Sequence, residues 1–130
     1  MAITLDGTNG INSPDIIVIS PLAFGYGTGA GGSVTQTTSK GAPVTLNKPV
    51  GIIVVNNSTL GAGAVAQFTF NNTFFSLNDL LLLANNSGNY EVQVSAVGNG
   101  FAVIRITNIT AGSLSEIFSV SFAIIKGATA

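Results

Sequence analysis

The chain has 130 residues, no His, Cys or Trp, and only four basic and five acidic side chains, for a formal net charge of -1. Without imidazole or thiol, the usual zinc, haem and iron–sulfur ligands, disulfides and His-activated nucleophiles are excluded. A folded 13.1 kDa monomer exposes roughly 6,400 Å², so its charges number about one per 700 Å², which points to a chain that buries much of its outside against other chains.

Residues 1–33 contain Gly, Pro and short apolar pieces but no sustained alternation. They read as an extended N-terminal arm with a Gly-rich hinge, and residues 34–130 as the domain. Within the arm, Ile16-Ile17-Val18-Ile19 is a β-branched run that Pro14 and Pro21 confine to an extended conformation. Gly27-Thr28-Gly29-Ala30-Gly31-Gly32 fits the pattern of a dinucleotide-binding loop. That site needs a following helix, and Ser33–Thr38 is a β-branched stretch, so the glycines read as a hinge and no cofactor is expected.

The domain is a series of short strand-like segments. Val34–Thr38 and Val44–Leu46 are rich in β-branched residues. Gly51–Asn56 reads as a fully buried strand. Ala64–Phe70 alternates, with Ala66, Phe68 and Phe70 on one face and Val65, Gln67 and Thr69 on the other. Asn78–Ala84 is ambiguous. A buried strand is favoured, but Leu80–Leu83 are good helix formers and Ser76 is placed to cap a single helical turn.

Tyr90, Val92 and Val94 then oppose Glu91, Gln93 and Ser95. Ala102, Ile104 and Ile106 oppose Phe101, Val103, Arg105 and Thr107, while Phe118, Val120, Phe122 and Ile124 oppose Ser119, Ser121 and Ala123. The connectors are rich in Gly and Asn, which tolerate positive φ, and Gly98-Asn99-Gly100 signals a hairpin. Short strands at this spacing predict an all-β fold: a single antiparallel sandwich or jelly-roll-like domain carrying the arm.

Few functional classes remain. Three Lys and one Arg cannot form a phosphate-neutralising face, so nucleic acid is not an expected partner. Mean hydropathy is +0.56, but the longest tight apolar run is Leu80–Ala84, far short of the roughly 20 residues of a spanning helix. Met1–Asp6 lacks the basic and apolar regions of a signal peptide, and no membrane partner is expected. The five acids are scattered, so no catalytic pair, metal site or enzymatic activity is read from them. Arg105, the only Arg, lies in an apolar strand. It faces solvent or pairs with a carboxylate such as Glu91 or Glu116, or with one from a neighbouring subunit.

Three stretches are similar to small structural proteins of tailed bacteriophages. Met1–Thr8 with Gly10-Ile11 resembles the opening of many tail-fibre and virion proteins. Gly32–Lys40 followed by Val44–Lys48 resembles a "VTQxTSK…VTLN" signature. Ala111–Glu116 followed by Phe122–Gly127 resembles a "GSLSE…FAVIK" ending. The resemblance covers nearly the whole chain in matching order; the middle departs from it, because Leu80–Leu83 stands where the group often has a Val-rich strand.

The resemblance implies an all-β, multimeric virion protein without catalytic residues, made in the host cytoplasm and carried on the exterior of the phage particle. A trimeric capsid decoration (cement) protein that ties major capsid or other virion proteins together is the first expectation. A tail- or head-fibre component is the alternative. A carbohydrate-binding module, with only Tyr26 and Tyr90 as polar aromatics, is the third. Ile3, Leu5, Ile16, Ile17, Val18, Ile19, Phe24 and Arg105 are the expected anchoring and interface residues.

Overall fold

The computed structural model describes residues 25–127. They form eight strands and no helix: β1 (Ser33–Thr35), β2 (Val44–Thr45), β3 (Val50–Val55), β4 (Val65–Asn71), β5 (Leu80–Asn85), β6 (Tyr90–Gly98), β7 (Phe101–Asn108) and β8 (Phe118–Ile125). The strands make two four-stranded mixed sheets, ordered β1-β3-β8-β5 and β2-β4-β7-β6. The expected all-antiparallel arrangement is corrected at one margin of each sheet, where β1 pairs parallel to β3 and β2 parallel to β4. Both are too short to show a sequence period. β1 ends at Thr35; the Gln36 N–H still donates to the Val54 carbonyl, and the Gln36 side chain reaches on to donate to the Lys40 and Ala42 carbonyls.

The core lies between the sheets. Ile53, Val55, Phe118, Val120 and Phe122 from one sheet and Phe68, Phe70, Tyr90, Ile104 and Ile106 from the other form one buried cluster. Two aromatic pairs span it. Phe70 meets Phe122 edge-on at 4.7 Å, and Tyr90 stacks on Phe118 at 4.4 Å. The alternations expected in β4, β7 and β8 place the same residues inward.

Two segments differ from the reading of their burial. β3 is not fully buried, since Ile52 points outward and is exposed. Residues 80–85 are a strand, but only Leu81 and Leu83 pack on the core, while Leu80 and Leu82 are 60% and 51% exposed. An uninterrupted apolar run hides its period of two, and among the described residues β5, at the sheet margin, has a neighbouring strand on one side only.

Asparagine ends four strands by one device. The side-chain Oδ1 of Asn56, Asn72, Asn85 and Asn108 each accepts from the backbone N–H two residues on. Their amide nitrogens donate to nearby backbone carbonyls, as Asn108 does to Leu60 and Gly112 and Asn85 to Tyr90 at the start of β6. No described non-Gly residue takes positive φ, so asparagine serves here through its side chain, contrary to the backbone role expected of it. The β6–β7 hairpin turns at Asn99-Gly100 as expected, with Gly100 at φ 81°. Gly51 is required sterically: a Cβ there would lie 2.5 Å from the Gly32 carbonyl oxygen, which accepts the Ile52 N–H and joins β1 to β3.

Phe122→Ala should lower unfolding free energy by about 3–5 kcal/mol, whereas Leu82→Ala should change it far less. Denaturant unfolding of both variants checks this, and equal losses would show that the faces are wrongly assigned.

Candidate functional site

The expected anchors Ile3, Leu5, Ile16, Ile17, Val18, Ile19 and Phe24 lie outside the described residues. Gly27–Gly32 leads into β1 through a turn in which Ala30 N–H donates to Gly27 C=O at 3.2 Å. The strand it enters lacks the helix start that a pyrophosphate site needs. The expected boundary between residues 33 and 34 falls within β1.

Arg105 lies on the outer face of β7, beside Gln67 of β4 and Gln93 of β6. It is half-buried and pairs with no carboxylate among the described residues. Its Nε is buried without a hydrogen-bond partner among them. Glu116 instead accepts both its contacts from the Asn89 amide, at 3.1 and 3.2 Å.

Lys40 gave no signal in the sequence and is the one deeply buried basic side chain among the described residues, 2% exposed. Its Nζ donates to the carbonyls of Asn56 (2.5 Å), Ser58 (2.8 Å) and Glu116 (3.0 Å) and sits 5.6 Å from the Tyr90 ring centroid. Burial lowers its pKa, and the Glu116 carboxylate opposes that shift. Burial also raises the pKa of the Tyr90 phenol.

A nucleophilic amine needs an accessible lone pair. Here three carbonyls take the three N–H bonds of an ammonium, so Lys40 ties three loops together and has no nucleophilic role. Only its tertiary contacts reveal this, because a lone Lys beside Gly41 in a polar loop looks like a surface residue.

The second charged cluster is also a clamp. The Asp79 carboxylate accepts from Lys126 Nζ (2.6 Å), Ser76 N–H (2.8 Å) and Gly127 N–H (3.0 Å), fastening the end of β8 to the turn before β5. The Lys126 hydrogen bond is the main cause holding the Asp79 carboxyl below its usual pKa. Among the described residues, no group of three or more His, Cys, Asp or Glu is placed to hold a metal, and no helix is long and apolar enough to cross a membrane.

What remains is surface. The outer side of the β1-β3-β8-β5 sheet carries Val50, Ile52 and Val54 of β3, Ala123 and Ile125 of β8, and Leu80, Leu82 and Ala84 of β5. Ser33, Thr35, Ser119 and Ser121 are its polar members, and none of the twelve is charged. At one corner Gly25, Tyr26, Leu82, Ala123, Ile124 and Ile125, with the charged Lys126 at the end of β8, line a mostly apolar hollow of about 470 Å³. The Tyr26 hydroxyl there donates to the Ile124 carbonyl. A contiguous uncharged apolar face of this kind marks an interaction surface more often than open solvent.

Two substitutions test the clamps. Lys40→Met leaves three part-buried carbonyls without their donor and should cost about 1–3 kcal/mol in denaturant unfolding; an unchanged midpoint would contradict the pinning role. Asp79 has a folded pKa below its unfolded value of 3.8, so its stabilisation is present above that pH and is lost as pH falls through the folded value. Asp79→Asn should therefore be destabilising at pH 7 and converge on the unmodified chain in acid, measured as Tm against pH.

No protein-family model, curated protein or solved structure matches the chain, and its role rests on the chemistry of its own surfaces.

Proposed function

We propose that the chain is a structural protein of tailed-bacteriophage virions, a trimeric capsid decoration protein on the particle exterior that ties shell subunits together by non-covalent contacts. The observation that carries this reading is the uncharged outer face of the β1-β3-β8-β5 sheet, with Ile52, Leu80, Leu82 and Ile125 exposed. A chain that spends its life in contact with identical copies and shell proteins can tolerate such a face; a free monomer is poorly protected by it.

In this reading the residues before Gly25 form an arm whose Ile3, Leu5, Ile16, Ile17, Val18, Ile19 and Phe24 anchor to neighbours. Arg105, with its unpartnered Nε, meets a carboxylate of an adjacent subunit. The pairing of β3 with β8 and of β4 with β7, with β5 running on into β6, supports a jelly-roll description of those six strands.

The alternative, a tail- or head-fibre component that contributes to host attachment, is favoured by the similarity of Met1–Ile11 to fibre openings. Copy number separates the two. Quantitative mass spectrometry of purified particles from cells that make this chain should find it on the order of hundreds of times per particle, as symmetric shell decoration requires. About a dozen copies would support the fibre reading, and absence from the particle would overturn both.

A further inference from the structure

The two sheets have four margins, and three of them are protected. β1 and β2 are three and two residues long, while β6 carries Glu91 and a bulge between Val94 and Ala96. Short edges, charges and bulges are common defences against unwanted strand pairing. β5 has none of them. It is uncharged, contains neither Gly nor Pro, and keeps an unbroken register against β8 from Leu80↔Ile125 to Asn85↔Val120.

The direction of its open backbone groups follows from two hydrogen bonds. Asn86 N–H donates to Ser119 C=O at 3.0 Å, and Ile124 N–H donates to Pro49 C=O at 2.8 Å. Odd-numbered residues of β8 therefore turn their backbone groups to β5 and even-numbered ones to β3. Leu80, Leu82 and Ala84 bond β8, while the N–H and C=O groups of Leu81 and Leu83 point out of the sheet edge. Among the described residues nothing pairs with them.

The described chain begins at this corner, where Gly25 and Tyr26 line the hollow with Leu82 and Ile125. Before it comes Ile16-Ile17-Val18-Ile19, apolar at every position and closed by Pro14 and Pro21. A strand apolar on both sides needs cover on both. Beside β5 it would find Leu80 and Leu82 on one side and Leu81 and Leu83 on the other. Pro lacks an N–H and fits just beyond the ends of such a strand. The residues from Ile19 to Gly25 reach about 20 Å when extended, several times the 4.7–4.9 Å spacing of neighbouring strands, so the segment can leave its own corner for another subunit.

We propose that the open β5 edge of one copy takes up Ile16–Ile19 of a second copy as an added strand. The donor's coming from a second copy rests on the assembly reading above. Main-chain bonds to Leu81 and Leu83 supply the attachment, and the apolar side chains extend both faces of β5.

The absence of native Cys makes a disulfide test clean. Full-length chains carrying Ile17→Cys or Val18→Cys are isotope-labelled, mixed with unlabelled Ala84→Cys chains, oxidised mildly and weighed by intact mass spectrometry. The expected product is the mixed dimer, formed with at least one of the two donors and lost when Gln93→Cys on β6 replaces Ala84→Cys. Three results would overturn the proposal: no preference over Gln93→Cys, an Ala84–Ala84 dimer alone, which means β5 pairs with itself, or closure of a Val18→Cys/Ala84→Cys double variant within one chain only. Sedimentation of the unmodified chain separates the two readings. A multimer without the mixed dimer removes this docking and leaves assembly standing, whereas a monomer at every concentration removes both.

Discussion

Strand β8 is the element on which the others depend. It lies between β3 and β5 in its sheet, and its inward residues Phe118, Val120, Phe122 and Ile124 are all buried. Phe118 and Phe122 reach the opposite sheet through Tyr90 and Phe70. The same period of two that drives these residues inward forces Ser119, Ser121, Ala123 and Ile125 outward. A strand this central cannot hide both sides within one pair of sheets unless something else covers its outer face, and among the described residues Gly25, Tyr26 and Lys126 are the ones outside the strands that line the hollow on that side. Core packing and the uncharged outer surface are thus two consequences of one alternation.

Polar needs are met with almost no charge. Asparagine side chains finish four strands and stitch their ends to adjacent loops, and the Lys40 ammonium gathers three carbonyls that would otherwise be left without donors. The Asp79–Lys126 pair closes the opposite end of β8. These contacts replace the ionic surface of an ordinary soluble domain with internal hydrogen bonding. They stabilise the loops without making the outside repel other chains, a combination that fits the assembly proposed above.

Much of this was legible in the sequence where one side of a strand is polar. Gln67 and Thr69, Ser119 and Ser121, and the Gly98-Asn99-Gly100 turn placed β4, β8 and the β6–β7 hairpin correctly. Legibility failed where both sides are apolar. Ile52–Val55 and Leu80–Leu83 show no period, so the exposure of Ile52, Leu80 and Leu82 depends on sheet position, which only the fold supplies. The parallel pairing of β1 and β2 rests on two or three residues each and leaves no pattern. Burial of Lys40 depends on carbonyls from residues 56, 58 and 116, distant in the chain. For Arg105 the outward direction was readable, but the lack of a carboxylate beside it among the described residues was not.

The central claim is that the β5 edge does not face solvent in the working protein. Amide hydrogen exchange at Leu81 and Leu83 in the full-length chain tests it most directly, because these N–H groups point outward even though their side chains pack inward. The account predicts protection comparable to that of β8 amides at high protein concentration, declining on dilution as copies separate. Rapid exchange at both residues at every concentration, with β8 still protected, would contradict it.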